Sequence, residues 1–223
     1  MNQTLSDDFS FESNSRKSSS RSLDVERNYF SVYDTESLKF YQNIRGNTEL
    51  HIGIYNDLEK GTEIEQIRNA SEKSFETLYE GTMKYLSPEM KTEGLRFIDL
   101  GSAYGDQAIK LVKKGAKFVS CVEISVFQNI HCKKTVHNEG LELHISNPGE
   151  RSYIDTGEPN ESFHVVWSQD SFLHAKSNRE IIKEASRILV DNGILCFTDI
   201  LMSDDIDASK NLEPIFRMIQ TDD

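Results

Sequence analysis

From residue 95 the chain alternates short apolar runs with stretches whose apolar residues recur at helical spacing. LRFIDL (95–100), KFVSCVEI (117–124), LELHI (141–145), SFHVVWS (162–168) and GILCFTDIL (193–201) have the length and β-branched content of strands. Between them, 104–114, 126–138 and 179–190 carry helical periodicity. The last of these puts Ile181, Ile182, Ala185, Ile188 and Leu189 on one face before Gly193. Strand–helix alternation predicts right-handed crossovers and a parallel, doubly wound, Rossmann-like α/β sheet. Ligands of such sheets bind beyond the carboxyl ends of the strands, near the switch in strand order.

Upstream the pattern is helical. A segment over 29–55 is rich in aromatics and spaces Leu38, Tyr41 and Ile44 as one helix face, and a second amphipathic helix is predicted over 63–86, ending before Ser87-Pro88. Residues 1–28 form a polar tail with the run RKSSSRS at 16–22, too poor in apolar surface to order itself. The predicted organisation is therefore a serine-rich tail (1–28), a helical segment (29–94) and an α/β core (95–223) whose last element is a helix over 208–219.

Charge narrows the function. The 223 residues carry 37 acidic against 25 basic side chains, a formal net charge of −12. That balance argues against nucleic acid, whose binding rests on phosphate neutralisation, and against an anionic membrane surface, while leaving room for a cationic small molecule. Cys121, Cys132 and Cys196 have no metal-ligand spacing, and an odd count fits a reducing compartment. No apolar run approaches the ~20 residues of a membrane-spanning helix. A soluble cytoplasmic protein is expected.

The first strand ends FIDLGSAYGDQA (97–108). The dinucleotide pattern G-x-G-x-x-G finds one glycine of three, at Gly101, with Ala103 and Asp106 in the other places. The methyltransferase variant G-x-G-x-G finds two, Gly101 and Gly105. Asp106, at the start of the following helix, would repel the pyrophosphate that NAD presents there. S-adenosylmethionine has no phosphate and brings an ammonium that Asp99 can accept. Gly101 is expected to keep a tight turn open for the ligand. Glu123 closes the second strand 24 residues after Asp99, where a carboxylate can accept ribose hydroxyls. Ser152 and Tyr153, after the third strand, are candidates to hold adenine.

The fourth strand runs out in WSQDSFLH (167–174), which gathers an indole, an amide, a carboxylate and an imidazole within eight residues. This stretch, with ILVDNGILCFTDIL (188–201), ISVFQN (124–129) and ELHIGIY (49–55), resembles the sarcosine/dimethylglycine N-methyltransferases of betaine synthesis. The resemblance extends to the phosphoethanolamine methyltransferases through S-x-D-x-x-x-H and an N-terminal tyrosine. It implies a class I, S-adenosylmethionine-dependent fold closed by an N-terminal helical lid. It implies Asp170, His174 and the lid residue Tyr33 as catalytic groups. Tyr41, His51, Gln128 and Ser168 join Asp99, Gly101, Gly105, Glu123, Ser152 and Tyr153 on the cofactor side. In that arrangement His174 would take the amine proton, Asp170 would orient the ammonium, and the face of Trp167 would steady the cations.

The chain departs from the family at Ala103 and Asp106, and in lacking a tryptophan-glycine pair within IRGNTELH (44–51). The family also continues with two more strands. A truncated product and a sheet completed by a second copy or another chain both remain open. Alternatives for function are a phosphoethanolamine, thioether or lipid methyltransferase, or a non-catalytic methyltransferase-like protein.

Overall fold

The computed structural model describes residues 50–55 and 61–200, together with Lys39 and Asn43. Tyr33, Tyr41 and the helix predicted over 208–219 lie outside the described residues.

Helix α1 (Glu63–Tyr85) starts at a capping box, in which the Thr62 hydroxyl accepts from the Glu65 amide while the Glu65 carboxylate accepts from the Thr62 amide. It ends where predicted, but Ser87-Pro88 does more than stop it. Ser87 caps a short second helix, α2 (Pro88–Glu93), with Pro88 in the first turn, where the missing N–H costs nothing. The core then follows as β1 (Arg96–Leu100), α3 (Asp106–Lys113), β2 (Phe118–Val122), α4 (Val126–Asn138), β3 (Ile145–Ser146), β4 (Phe163–Gln169), α5 (Asn178–Ile188) and β5 (Leu189–Thr198).

The five strands form one parallel sheet in the order β3-β2-β1-β4-β5. The order reverses between β1 and β4, so the switch point lies where the glycine turn and WSQDSFLH both emerge. Two strands differ from expectation. The third is only Ile145–Ser146, because 141–145 closes a turn through amides of His144 and Ile145 donating to the Leu141 carbonyl, which leaves Leu143 91% exposed. β5 begins earlier than predicted, at Leu189, and its pairing with β4 shifts between Phe163 and Val165, absorbing Asn192 in a left-handed conformation before Gly193.

The sheet buries two different faces. Phe97, Val119, Cys121, Val165, Trp167 and Cys196 pack against α1, α3 and α4. Ile98, Leu100, Val122 and Val166 pack against Ile181, Ala185 and Ile188 of α5. Among the described residues no helix is long and apolar enough to cross a membrane.

Candidate functional site

The turn after β1 is built on left-handed residues. Gly101 (φ 82°), Ala103 (φ 45°) and Gly105 (φ 89°) all lie at positive φ, and Gly105 caps α3. Ala103 therefore occupies a conformation that glycine adopts freely, at a cost of roughly 1–2 kcal/mol for a residue with a Cβ. The amides of Gly101 and Ser102 donate to the Val122 carbonyl at 2.8 and 3.1 Å, which pins the turn to the end of β2.

What excludes a side chain from Gly101 is not open ligand space. A Cβ there would fall 2.5 Å from Cβ of Ser171, in the loop after β4, and one at Gly105 would fall 2.6 Å from Sγ of Cys132 on α4. The sequence expectation for Gly101 is corrected accordingly: the glycine lets two loops touch. Ser168 and Ser171 hold that contact from the other side. Both hydroxyls reach the Leu100 carbonyl, at 2.9 and 2.8 Å, and they lie 2.6 Å from one another. Ser168 is fully buried, so its hydroxyl works as a strut between β4 and β1. The phenol of Tyr153 donates to the Ser171 carbonyl at 3.4 Å while its ring lies against Phe172.

Two buried carboxylates flank the turn. Glu123 accepts from the Ala103 amide at one oxygen (3.0 Å) and from the Ile124 and Ser125 amides at the other (2.8 Å each). Burial raises its pKa and the three amides oppose that rise. Three acceptor sites of the carboxylate are filled and one lone pair remains on the oxygen shared with Ala103. Asp99 is 1% exposed, with Oδ2 buried and without a partner. Burial first, then the neighbouring Cys132 and Glu123, push its carboxyl well above the usual range. Gln128 is buried in the first turn of α4, its amide accepted by the Ser125 hydroxyl at 3.3 Å; Ser152 is half-buried, its hydroxyl facing the Ile154 amide at 3.5 Å.

At the end of β4 the chain reverses through Asp170, at φ 51°. One carboxylate oxygen accepts from the Thr198 hydroxyl at 2.8 Å, and the other from the Ile52 amide at 2.6 Å. Asp170 thus joins the tip of β5 to the N-terminal segment. That segment is docked on α1: the Ile54 amide donates to the Ala70 carbonyl at 2.9 Å, and Gly53 lies so close to Ala70 that a Cβ would sit 2.5 Å from it. His174 closes the 3₁₀ turn Phe172–His174, and burial lowers its pKa, which favours the neutral imidazole.

His51 and Trp167 depart most from their expected places. His51 is buried between Nε2, 3.0 Å from the Ser71 carbonyl, and Nδ1, 2.8 Å from Nε2 of Gln107. Trp167 is fully buried on the α1 face against Phe75 and Phe97, so its ring belongs to the core and presents no face to a cation at the strand end. Sequence reasoning passed over Asp199. Its Oδ1 accepts from the Leu173 and Ile200 amides at 3.2 and 2.9 Å, and burial, then Asp170, raise its pKa. The signal was available, since Asp199 ends β5 as Asp170 ends the neighbouring β4.

The chain is similar to known methyltransferases. Residues 98–197 match the family described as "Methyltransferase domain". A glycine/sarcosine/dimethylglycine N-methyltransferase from Actinopolyspora halophila is 32% identical over 91% of this chain and 33% of its own length. A sarcosine/dimethylglycine N-methyltransferase from Aphanothece halophytica is 32% identical over 85% of this chain and 64% of its own. The chain thus spans between a third and about two thirds of these curated relatives. Among solved structures, a Galdieria sulphuraria protein provisionally described as a sarcosine dimethylglycine methyltransferase superposes with a TM-score of 0.69 at 28% identity, covering 83% of this chain and 67% of that one.

Proposed function

We propose that this chain, which carries a methyltransferase domain across residues 98–197 on the class I fold, binds S-adenosylmethionine and methylates the nitrogen of a small amine of the sarcosine or dimethylglycine kind. The observation that carries the reading is the seam at Gly101 and Ser171, which sets the Asp99–Glu123 end against the Asp170–His174 end across one loop contact. The residues present suit the cofactor. Asp99 holds a buried acceptor in want of a donor, and Glu123 keeps one lone pair for a hydroxyl. The ring of Tyr153 stands beside the turn, 3.5 Å from where a Gly101 Cβ would be. When bound, the cofactor supplies an electrophilic methyl carbon on a positively charged sulfur.

The chain's own part is alignment, dehydration and proton removal. A protonated amine has no lone pair to offer, and His174, held neutral by burial, is the base that takes its proton. Asp170 and Asp199 put two carboxylates where positive charge grows on the nitrogen. Asp170 does this while bonded to the Ile52 amide, so closure of the N-terminal segment and readiness of the acceptor site are linked through one side chain. Tyr33 and Tyr41 are the lid groups that the resemblance assigns to this closure. Ser168 serves as a brace, and His51 as an anchor of the lid. The protein works on a small molecule in the cytoplasm, without nucleic acid or membrane as partner.

Calorimetry with S-adenosylhomocysteine and methyl-transfer assays over sarcosine, dimethylglycine and phosphoethanolamine test this. We expect cofactor binding and transfer to one of the glycine derivatives. His174→Ala should lower kcat by about 10²-fold or more with cofactor affinity unchanged. Binding of NAD in preference, or an unaltered rate in His174→Ala, would remove the reading or the base.

A further inference from the structure

Two of the three buried cysteines meet beneath the turn that follows β1. Cys121 in β2 and Cys132 in α4 are both fully buried in the core on the α1 face, with their sulfurs 4.0 Å apart. Cys196 stands apart from them. Its thiol donates to the Val166 carbonyl at 3.5 Å, and burial pushes its pKa up to about 12.

Either thiol of the pair can donate across that gap, but the surroundings favour one direction. With Cys121 donating, the hydrogen bond lowers the pKa of Cys132 and raises that of Cys121. Burial opposes the fall at Cys132, the side chain of Asn147 after β3 adds to it, and Asp106 and Glu123 oppose it. Cys132 is therefore the sulfur with thiolate character, and Cys121 stands beside it as a resolving thiol. The cover over Cys132 is thin. On one side it is Gly105, packed so close that a Cβ there would fall 2.6 Å from Sγ of Cys132. Gly105 belongs to the run of left-handed residues and caps α3 without a side-chain hydrogen bond. Local opening of such a turn admits a small oxidant.

We propose that Cys121 and Cys132 are a reversible oxidation site for small hydroperoxides, and that closing the Cys121–Cys132 disulfide withdraws the floor beneath Gly105 and weakens ligand binding at the turn. The Cys132 thiolate attacks one peroxide oxygen, the O–O bond breaks, and the other oxygen leaves as water or an alcohol after taking up a proton. The sulfur of Cys121 then attacks the Cys132 sulfenic acid, and the displaced hydroxide leaves as water with the Cys121 proton. The two thiols lose the two electrons that the peroxide gains. A disulfide holds its sulfurs about 2 Å apart, so the present gap must close by about as much again. Cys121 is held in β2, between β1 and β3, in register with Asp99, so the movement falls to the Cys132 side chain. The bond itself needs no ligand, whereas its effect on binding rests on the S-adenosylmethionine reading.

Hydrogen peroxide is the probe, with thiol titration in denaturant and calorimetry with S-adenosylhomocysteine as readouts. Titratable thiols should fall from three to one, with Cys121 joined to Cys132 in peptide maps and all three restored by dithiothreitol. The disulfide form should bind S-adenosylhomocysteine about fivefold or more weakly than the reduced form, and recover on reduction. Cys196→Ala should form the same bond. Cys132→Ala should form none, with Cys121→Ala giving the same expectation if the first variant does not fold. Three thiols surviving excess peroxide overturn the site, as does a bond to Cys196 or one between molecules. A disulfide form with unchanged affinity overturns the coupling to the turn. A reduced protein that binds no S-adenosylhomocysteine removes the cofactor reading and the coupling with it, while the thiol count still decides the bond.

Discussion

The two faces of the sheet treat polar groups in opposite ways. On the α5 face each of the buried polar side chains Ser120, Ser168 and Thr156 has a partner: the Ser120 hydroxyl donates to Glu158 at 2.8 Å, Ser168 braces Leu100, and Thr156 donates to Glu184 at 2.6 Å. On the α1 face Asp99, Gln107, Gln169 and Trp167 each keep a buried polar atom without one. Both faces have a dense apolar floor. The difference teaches where the protein invests stability and where it withholds it. A satisfied polar group ties elements together, whereas an unsatisfied one raises the energy of the ligand-free state and lowers it again when a ligand arrives.

The largest test of this contrast removes floor from the α5 side. Phe163 is fully buried against that cluster. Phe163→Ala should cost about 3–5 kcal/mol of stability in denaturant titration, with the affinity of the folded fraction for S-adenosylhomocysteine unchanged. A loss of affinity parallel to the loss of stability would mean the two faces are not separable.

A second test acts on the α1 side with the opposite sign. Because burial raises the Asp99 carboxyl in the folded protein, its contribution to stability is fully present below the unfolded carboxylate pKa. That contribution is lost as pH rises from there through the raised folded value. Asp99→Asn removes this penalty, so the ligand-free variant should melt above wild type at neutral pH. The gap should close as pH falls below about 4. Affinity for S-adenosylhomocysteine should drop in the same variant. Thermal melts across pH, with and without ligand, check both. A variant less stable than wild type at neutral pH would show that Asp99 is a structural group.

Much of this was legible in the sequence, for definable reasons. α4 was predicted with its observed bounds, because Ser125 caps it and Gly140 follows it. β1, β2 and β4 were found within one or two residues, since strands buried on both faces are continuous apolar runs. The third strand misled because LELHI alternates correctly but sits in a turn set by the chain leaving α4. The sequence showed that Asp99, Glu123 and Asp170 stand at the ends of strands and that Gly101 opens a turn. Trp167 was assigned to the wrong environment because a strand end in sequence does not say which face of the sheet a residue covers.

The smallest test returns to the satisfied side. Ser120 is wholly buried in β2 and gives its hydroxyl to Glu158, in the loop that leads into β4. Ser120→Ala deletes that bond but leaves no buried orphan, because the half-exposed Glu158 can turn to water. The cost should therefore stay at about 1 kcal/mol, the net worth of an ordinary hydrogen bond. Cofactor affinity should not move, since the bond joins Ser120 to Glu158, neither of which belongs to the groups around the Gly101 turn. If Ser120→Ala instead weakened S-adenosylhomocysteine severalfold, partnered polar groups on the α5 face would be acting on the ligand after all. The assignment of structure to one face and recognition to the other would then have to give way.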